Sequence, residues 1–256
     1  MKPILRNLLL TAFFIATLLF TATTSFAQLE IDDSPTPLEL AESLIGEGVS
    51  ISGVTMDCPS GASGFFECLD CNVGIANGIL LTSGDVYSAN GPNNSGSTGT
   101  GHGAPGDADL NMIPGVVGTN DACVLEFDLT VTSDTIRFNY VFGSEEYIEY
   151  VNFINDVFAF YISGPGIVGT ENLALIPGTD TEVSINNVNH ILNTEYFVDN
   201  GDGTVPPYNS DDFYIQYDGF TTVLEAKRQV IPCETYHLKI AIADDYPVYR
   251  EGLQVT

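Results

Sequence analysis

Three carboxylates, Glu145, Glu146 and Glu149, crowd into Phe142-Gly-Ser-Glu-Glu-Tyr-Ile-Glu-Tyr150, directly after an apolar run. In an extended chain Glu145 and Glu149 share one face and Glu146 takes the other. In a helical chain Glu145 and Glu149 lie one turn apart, with Glu146 beside Glu149. Either geometry brings like charges together, and they repel unless a cation, a basic group or a proton neutralises one. Two chemistries suit such a cluster: acid and base catalysis by a carboxylate pair, as in glycoside hydrolysis, or coordination of a hard cation through oxygen.

The charge balance favours the cation. Lys2 and Arg6 precede an apolar run from Leu8 to Phe20 and then Ser25-Phe26-Ala27, the order of a secretory signal peptide cleaved after Ala27. Without residues 1–27 the chain keeps five basic residues against 34 acidic ones, a formal charge of −29. Such a chain suits neither nucleic acid nor an anionic membrane as partner, and no later segment is apolar enough for membrane insertion. Calcium is the usual extracellular hard cation. The expected ligands are Glu145 and Glu146, then Asp156, with Asp107 and Asp109 reaching in from a Gly-rich loop and Asp244 at a strand end as a further candidate.

Other motifs are weaker. Asp107-Ala-Asp109-Leu-Asn111 opens like an EF-hand, but Met112 stands where that loop needs Gly and Gly118 where it needs Glu. Asp199-Asn-Gly-Asp202-Gly is turn chemistry first. Gly164-Pro-Gly166-Ile-Val-Gly169 has no helix after it to bind a dinucleotide. Ser63 lacks the glycines of a nucleophile elbow, and there is no HExxH. His102, His190 and His237 are far apart, and His237 reads as an ordinary strand histidine. A carbohydrate-active hydrolase using Glu145, Glu146 and Glu149 is the alternative function, although the chain has no tryptophan to form a sugar platform.

The elements that must position these groups are mostly strands. Thr36-Pro37-Leu38-Glu39 predicts a helix start with a capping box, and Leu40, Leu44 and Ile45 give the helix one apolar face up to Gly46. Beyond Val49, apolar or alternating runs at 78–82, 124–129, 136–141, 157–162, 173–176, 183–188, 213–217, 221–226 and 236–243 are bounded by Gly, Asn, Asp and Pro. The expected fold is all-β, an antiparallel sandwich or jelly roll with one short N-terminal helix. Residues 28–48 form a lead-in, and 49–256 the β-domain. The Gly/Ser/Asn-rich stretch from Ser88 to Asp109 is long enough to be functional.

Five cysteines in an exported chain point to disulfides. Cys123 with Cys233 would join two strands distant in sequence, where a crosslink closes a long loop. Cys58 is expected to pair with Cys68 or Cys71. The CxxC at 68–71 has neither a second CxxC nor a nearby histidine to bind zinc, and no βαβ pattern for a redox fold.

"GILLTSG", "DACVLEFDLTVTSDTIRFNYVFGSEEYIEYVN", "NDVFAFYISGPGI", "NLALIPGT", "VSINNVN", "YDGFTTVLEA" and "YHLKIAIAD" follow one another in an order that resembles the choice-of-anchor L domain, over about Ile51 to Asp244. The resemblance implies an all-β domain of an exported bacterial protein held at the cell surface, often beside adhesion-type modules, with no enzymatic activity supplied. Family members continue into a closing strand of the form DSxVFLExxSF. Here Asp244-Asp245-Tyr246-Pro247-Val248-Tyr249 leads to Arg250-Glu-Gly-Leu-Gln-Val-Thr256, which reads as a fragment or frameshifted ending that lacks that strand. The functional expectation is a non-catalytic, secreted or cell-surface interaction module with an extracellular glycan or protein as ligand.

Overall fold

The computed structural model describes residues 29–245 and 251–255, so the signal peptide lies outside the described residues. Two antiparallel sheets face each other. One runs β1 (Leu29–Asp32), β3 (Ser63–Cys68), β4 (Asn77–Thr82), β13 (Glu251–Val255), β6 (Thr135–Ser144), β10 (Gly219–Thr221), β9 (Phe197–Asp199), with β11 (Leu224–Gln229) also on β6. The other runs β2 (Val49–Asp57), β5 (Thr119–Val131), β12 (Thr235–Asp245), β7 (Val157–Ser163), β8 (Glu171–Asn172).

Alternation explains the layers. Leu125, Phe127, Leu129 and Val131 of β5 point into the core, while Glu126, Asp128 and Thr130 face outward. Rings from both sheets interlock between them: Phe138 meets Phe160 edge-on at 4.7 Å between centroids, and Phe142 stacks on Phe158 at 4.8 Å. The outer face of the second sheet also carries an apolar layer, where Leu110 and Ile113 cover Val124, Ala159 and Ala241. The β7 run is apolar for that reason, being buried on both faces.

The helix forms as its sequence directs. Thr36 Oγ1 accepts the Glu39 N–H at 3.3 Å, and Glu39 Oε2 accepts the Thr36 N–H at 2.7 Å. This α1 (Pro37–Ser43) buries Leu40 and Ala41 and stops short of Gly46, its last turn closed by the Leu44 N–H on the Ala41 carbonyl.

Several expectations need correction. The runs 173–176, 183–188 and 213–217 are buried but are not strands. Asparagine side chains stand in for ladder partners there: Asn172 Oδ1 accepts from Phe160 and Ala174, and Asn200 Nδ2 donates to the Ile215 and Tyr217 carbonyls. The expected 221–226 strand is interrupted by a one-residue register shift against β6 between Phe220 and Leu224, where the Thr221 side-chain oxygen accepts the Phe142 N–H. The lead-in is part of the domain, since β1 pairs with β3. β13, formed by Glu251–Val255, lies between β4 and β6.

The cysteine pairing also differs. Cys58 bonds to Cys123 and Cys68 to Cys71, leaving Cys233 as an exposed thiol. The register gives the reason. Asp57 faces Val124, so Cys58 arrives beside Cys123, with the two Cα atoms 4.0 Å apart. Cys233 sits at the other end of β5, its N–H on the Val131 carbonyl, whereas Cys123 faces Ile242.

Candidate functional site

β6 ends at Ser144, whose hydroxyl oxygen accepts the Glu146 N–H at 2.8 Å, and the chain then turns. Past Ser144 the Glu-rich stretch is thus neither strand nor helix. The buried Tyr147 ring anchors the turn by donating its hydroxyl to the Val188 carbonyl at 2.8 Å.

Strand register then gathers acids from distant parts of the chain. Gly219 faces Ser144 in the last rung of that ladder, so Asp218 and Glu145 follow just beyond it and Asp218 is the largest charge acting on Glu145. In the other sheet Ala243 faces Val157, and Asp244 and Asp156 follow just beyond, with Asp156 the largest charge acting on Asp244. Each sheet therefore ends in neighbouring like charges, which is a destabilising arrangement by itself. Glu146 lies between the pairs and feels Asp156, then Glu149 and Asp218. Glu145 is 4 % exposed, Glu146 1 % and Asp218 0 %.

Such burial disfavours ionisation. Burial, with Asp218 opposite, pushes the Glu145 carboxyl up to about 9. Burial and Asp156 push Glu146 up to about 8, and burial takes Asp218 up to about 7 against the lowering effect of its Asn93 hydrogen bond. Asp244 is likewise raised, by burial and then by Asp156.

The two pairs differ in their hydrogen bonds. Asp244 Oδ1 accepts the Ser83 hydroxyl, and Asp156 Oδ1 accepts the Asp245 N–H at 3.0 Å. Asp156 Oδ2 has no donor. In the first sheet Asp218 Oδ1 accepts from Asn93 Nδ2 at 2.9 Å, but its Oδ2, both Glu145 oxygens and Glu146 Oε2 are buried with no hydrogen-bond donor, so more oxygens are bare there. The Thr98 main chain and the Gln216 amide lie near enough to ease the Glu145 charge, without forming a hydrogen bond of normal geometry to it.

The model of the choice-of-anchor L domain matches residues 30–249, most of the sequence. The chain belongs to the choice-of-anchor L family. No curated protein and no solved structure matches it. Membership makes it an exported, surface-associated module, and among the described residues no helix is long and apolar enough to cross a membrane.

In this choice-of-anchor L domain the remaining expected ligands sit elsewhere. Asp107 and Asp109 do not join the glutamates. Their Oδ2 atoms accept from Lys239 Nζ at 2.7 and 2.6 Å on the outer face of the second sheet. Burial works to lower the Lys239 pKa, but hydrogen bonds to both aspartates outweigh it and raise it. The other described basic side chains are also remote: Arg137 pairs with Glu225, Arg228 with Glu171, and Lys227 is exposed on β11. His237 is exposed against Asp128 at 3.0 Å, a cross-strand surface contact.

Asp199 and Asp202 do perform turn chemistry, accepting from the Gly201 and Thr204 N–H groups. They also line, with Glu149 and Tyr208, an open cavity of about 390 Å³ beside Asp218. Of the three glutamates in the motif, Glu149 is the one that lines this cavity. Among the described residues no three acidic, histidine or cysteine side chains close on one point as a ready-made cage. Asp218 was missed by sequence reasoning; a lone acid in Tyr217-Asp-Gly-Phe220, flanked by apolar residues, was the available signal.

Proposed function

We propose that this choice-of-anchor L domain is a non-catalytic interaction module of the bacterial surface or matrix, stabilised by calcium at the acidic end of the sandwich. The observation that supports calcium is the set of buried carboxylate oxygens without donors on Glu145, Glu146 and Asp218. Buried charge persists only when it is paired, protonated or bound to a metal, and the described basic side chains are engaged or exposed elsewhere. Calcium takes six to eight oxygens and accepts main-chain and amide carbonyls, so three converging acids are not required.

The hydrolase reading draws support from the raised carboxyls of Glu145 and Glu146, since catalytic acids are often tuned this way. It stays second because both side chains are buried, while Glu149, which lines the cavity, stands apart from them in the turn. The test is binding of the exported chain to arrays of glycans and matrix proteins in calcium and in chelator, with a glycan hydrolysis panel alongside. Ligand capture without turnover supports the module. Turnover abolished by Glu145→Gln or Glu146→Gln overturns it.

A further inference from the structure

The acids at this end of the sandwich are not equivalent. The Asp156–Asp244 pair of the second sheet is supplied with the Ser83 hydroxyl and the Asp245 N–H, and only Asp156 Oδ2 is without a donor there. The Glu145–Asp218 pair of the first sheet holds three of the donorless oxygens, and Glu146 turns a fourth toward the same region. The first sheet's pair is also wired to the Gly-rich segment. Asn93, fully buried, donates to Asp218 Oδ1 and to the Asn200 carbonyl, while Gln216 Nε2 donates to Asn93 Oδ1 and the Ser95 carbonyl. Gly91 presses so close to the Tyr214 carbonyl that a Cβ there would overlap it. The segment is thereby docked on the strand ends that carry the acids.

We propose that one calcium ion is held between Glu145 and Asp218, and that its binding fastens the Gly-rich segment 90–104 to the ends of β6 and β10. This rests on the calcium reading above and makes it specific: Asp218 becomes a principal ligand, and Asp156, Asp107 and Asp109 do not. The physical basis is that a divalent ion relieves the repulsion at the end of the β6–β10 ladder and satisfies the orphaned oxygens at once. Asn93 then keeps a charged, metal-held Asp218 as its partner, and a charged acceptor strengthens its bond to the segment.

The test is calorimetric titration of the full exported chain with calcium chloride, together with limited proteolysis of residues 90–104 in calcium and in chelator. Wild-type protein is expected to take up one equivalent. Asp218→Asn and Glu145→Gln should each weaken binding at least tenfold, and Asp156→Asn should stay within about threefold. Calcium should slow cleavage of the segment at least tenfold in wild type and by less than twofold in Asp218→Asn. If Asp218→Asn binds as wild type does, or Asp156→Asn is the variant that fails, the assignment is wrong while the calcium reading survives. If wild type takes up no calcium, both fall. Should Asp218→Asn not fold, the wild-type cleavage ratio and Glu145→Gln decide: an unprotected segment overturns the proposal.

Discussion

Two acidic regions of this molecule answer the same problem differently. On the outer face of the second sheet, Asp107 and Asp109 close on Lys239, so the Gly-rich connection is fixed by an ion pair of the chain's own making. At the end of the sandwich, Glu145 and Asp218 lie together just past the end of a ladder, with no described basic side chain paired to them. The first region carries its own counter-charge, Lys239 holding both carboxylates, and should respond little to metal. The second region requires something from outside, a proton or a cation. Proximity of acids in sequence does not distinguish the cases; the position of the few cations in space does.

The largest effect expected is one that should leave this contrast intact. Opening the Cys58–Cys123 bridge, which closes a loop of 65 residues, should cost about 4 kcal/mol. Double replacement by serine, followed by urea unfolding, measures it. Because the bridge joins the end of β2 to β5 and supplies none of the proposed ligands, the stabilisation by calcium should remain. A calcium response that vanished with the bridge would mean the site depends on the whole 58–123 loop.

Breaking the clamp comes next. Lys239→Ala strands two aspartates, one of them largely exposed, and should cost about 2–3 kcal/mol. Equal losses in calcium and in chelator are expected. A loss appearing only in chelator would place a cation at Asp107 and Asp109 after all.

Smaller, and opposite in sign between conditions, is Glu145→Gln. In chelator at pH 8 folding must hold Glu145 largely protonated, a cost that Gln does not carry, so stability should rise by about 1–2 kcal/mol. In calcium it removes a ligand and should lower it. The same logic sets the pH dependence. Glu145, Glu146 and Asp218 have folded-state values of about 9, 8 and 7, above their unfolded ones. In chelator the folded state therefore carries no ionisation penalty below about pH 4 and gains it as pH rises toward 9. Melting temperature in chelator should fall between pH 5 and 8.5, apart from contributions of groups elsewhere, and calcium should flatten that slope. A slope unchanged by calcium would separate these carboxyls from any cation.

Much of the fold was legible in the sequence because it is written locally. The Thr36–Glu39 box, the alternation through Leu125 and Phe127, and the doubly buried run at 157–162 need only near neighbours to be read. What was hidden depends on register. Cys58 meets Cys123 because Asp57 faces Val124, and Asp218 meets Glu145 because Gly219 faces Ser144. No spacing along the chain encodes those pairings. The buried runs at 173–176 and 213–217 misled for another reason: apolar content predicts burial, but asparagine side chains and scattered main-chain contacts, not a continuous ladder, satisfy their backbone.

The central claim is that the acidic end of the sandwich holds calcium, and thermal melting at pH 8 in calcium against chelator tests it most directly. A ligand bound only by the native state adds about 2.7 kcal/mol at a hundredfold excess over its Kd, which raises the midpoint of a domain this size by about 5–10 °C. The account predicts a rise of that order in wild type and little or none in Asp218→Asn. Identical midpoints in calcium and chelator, with no calcium in the purified protein, would contradict it and leave Glu145, Glu146 and Asp218 as buried carboxyls that share protons without a metal.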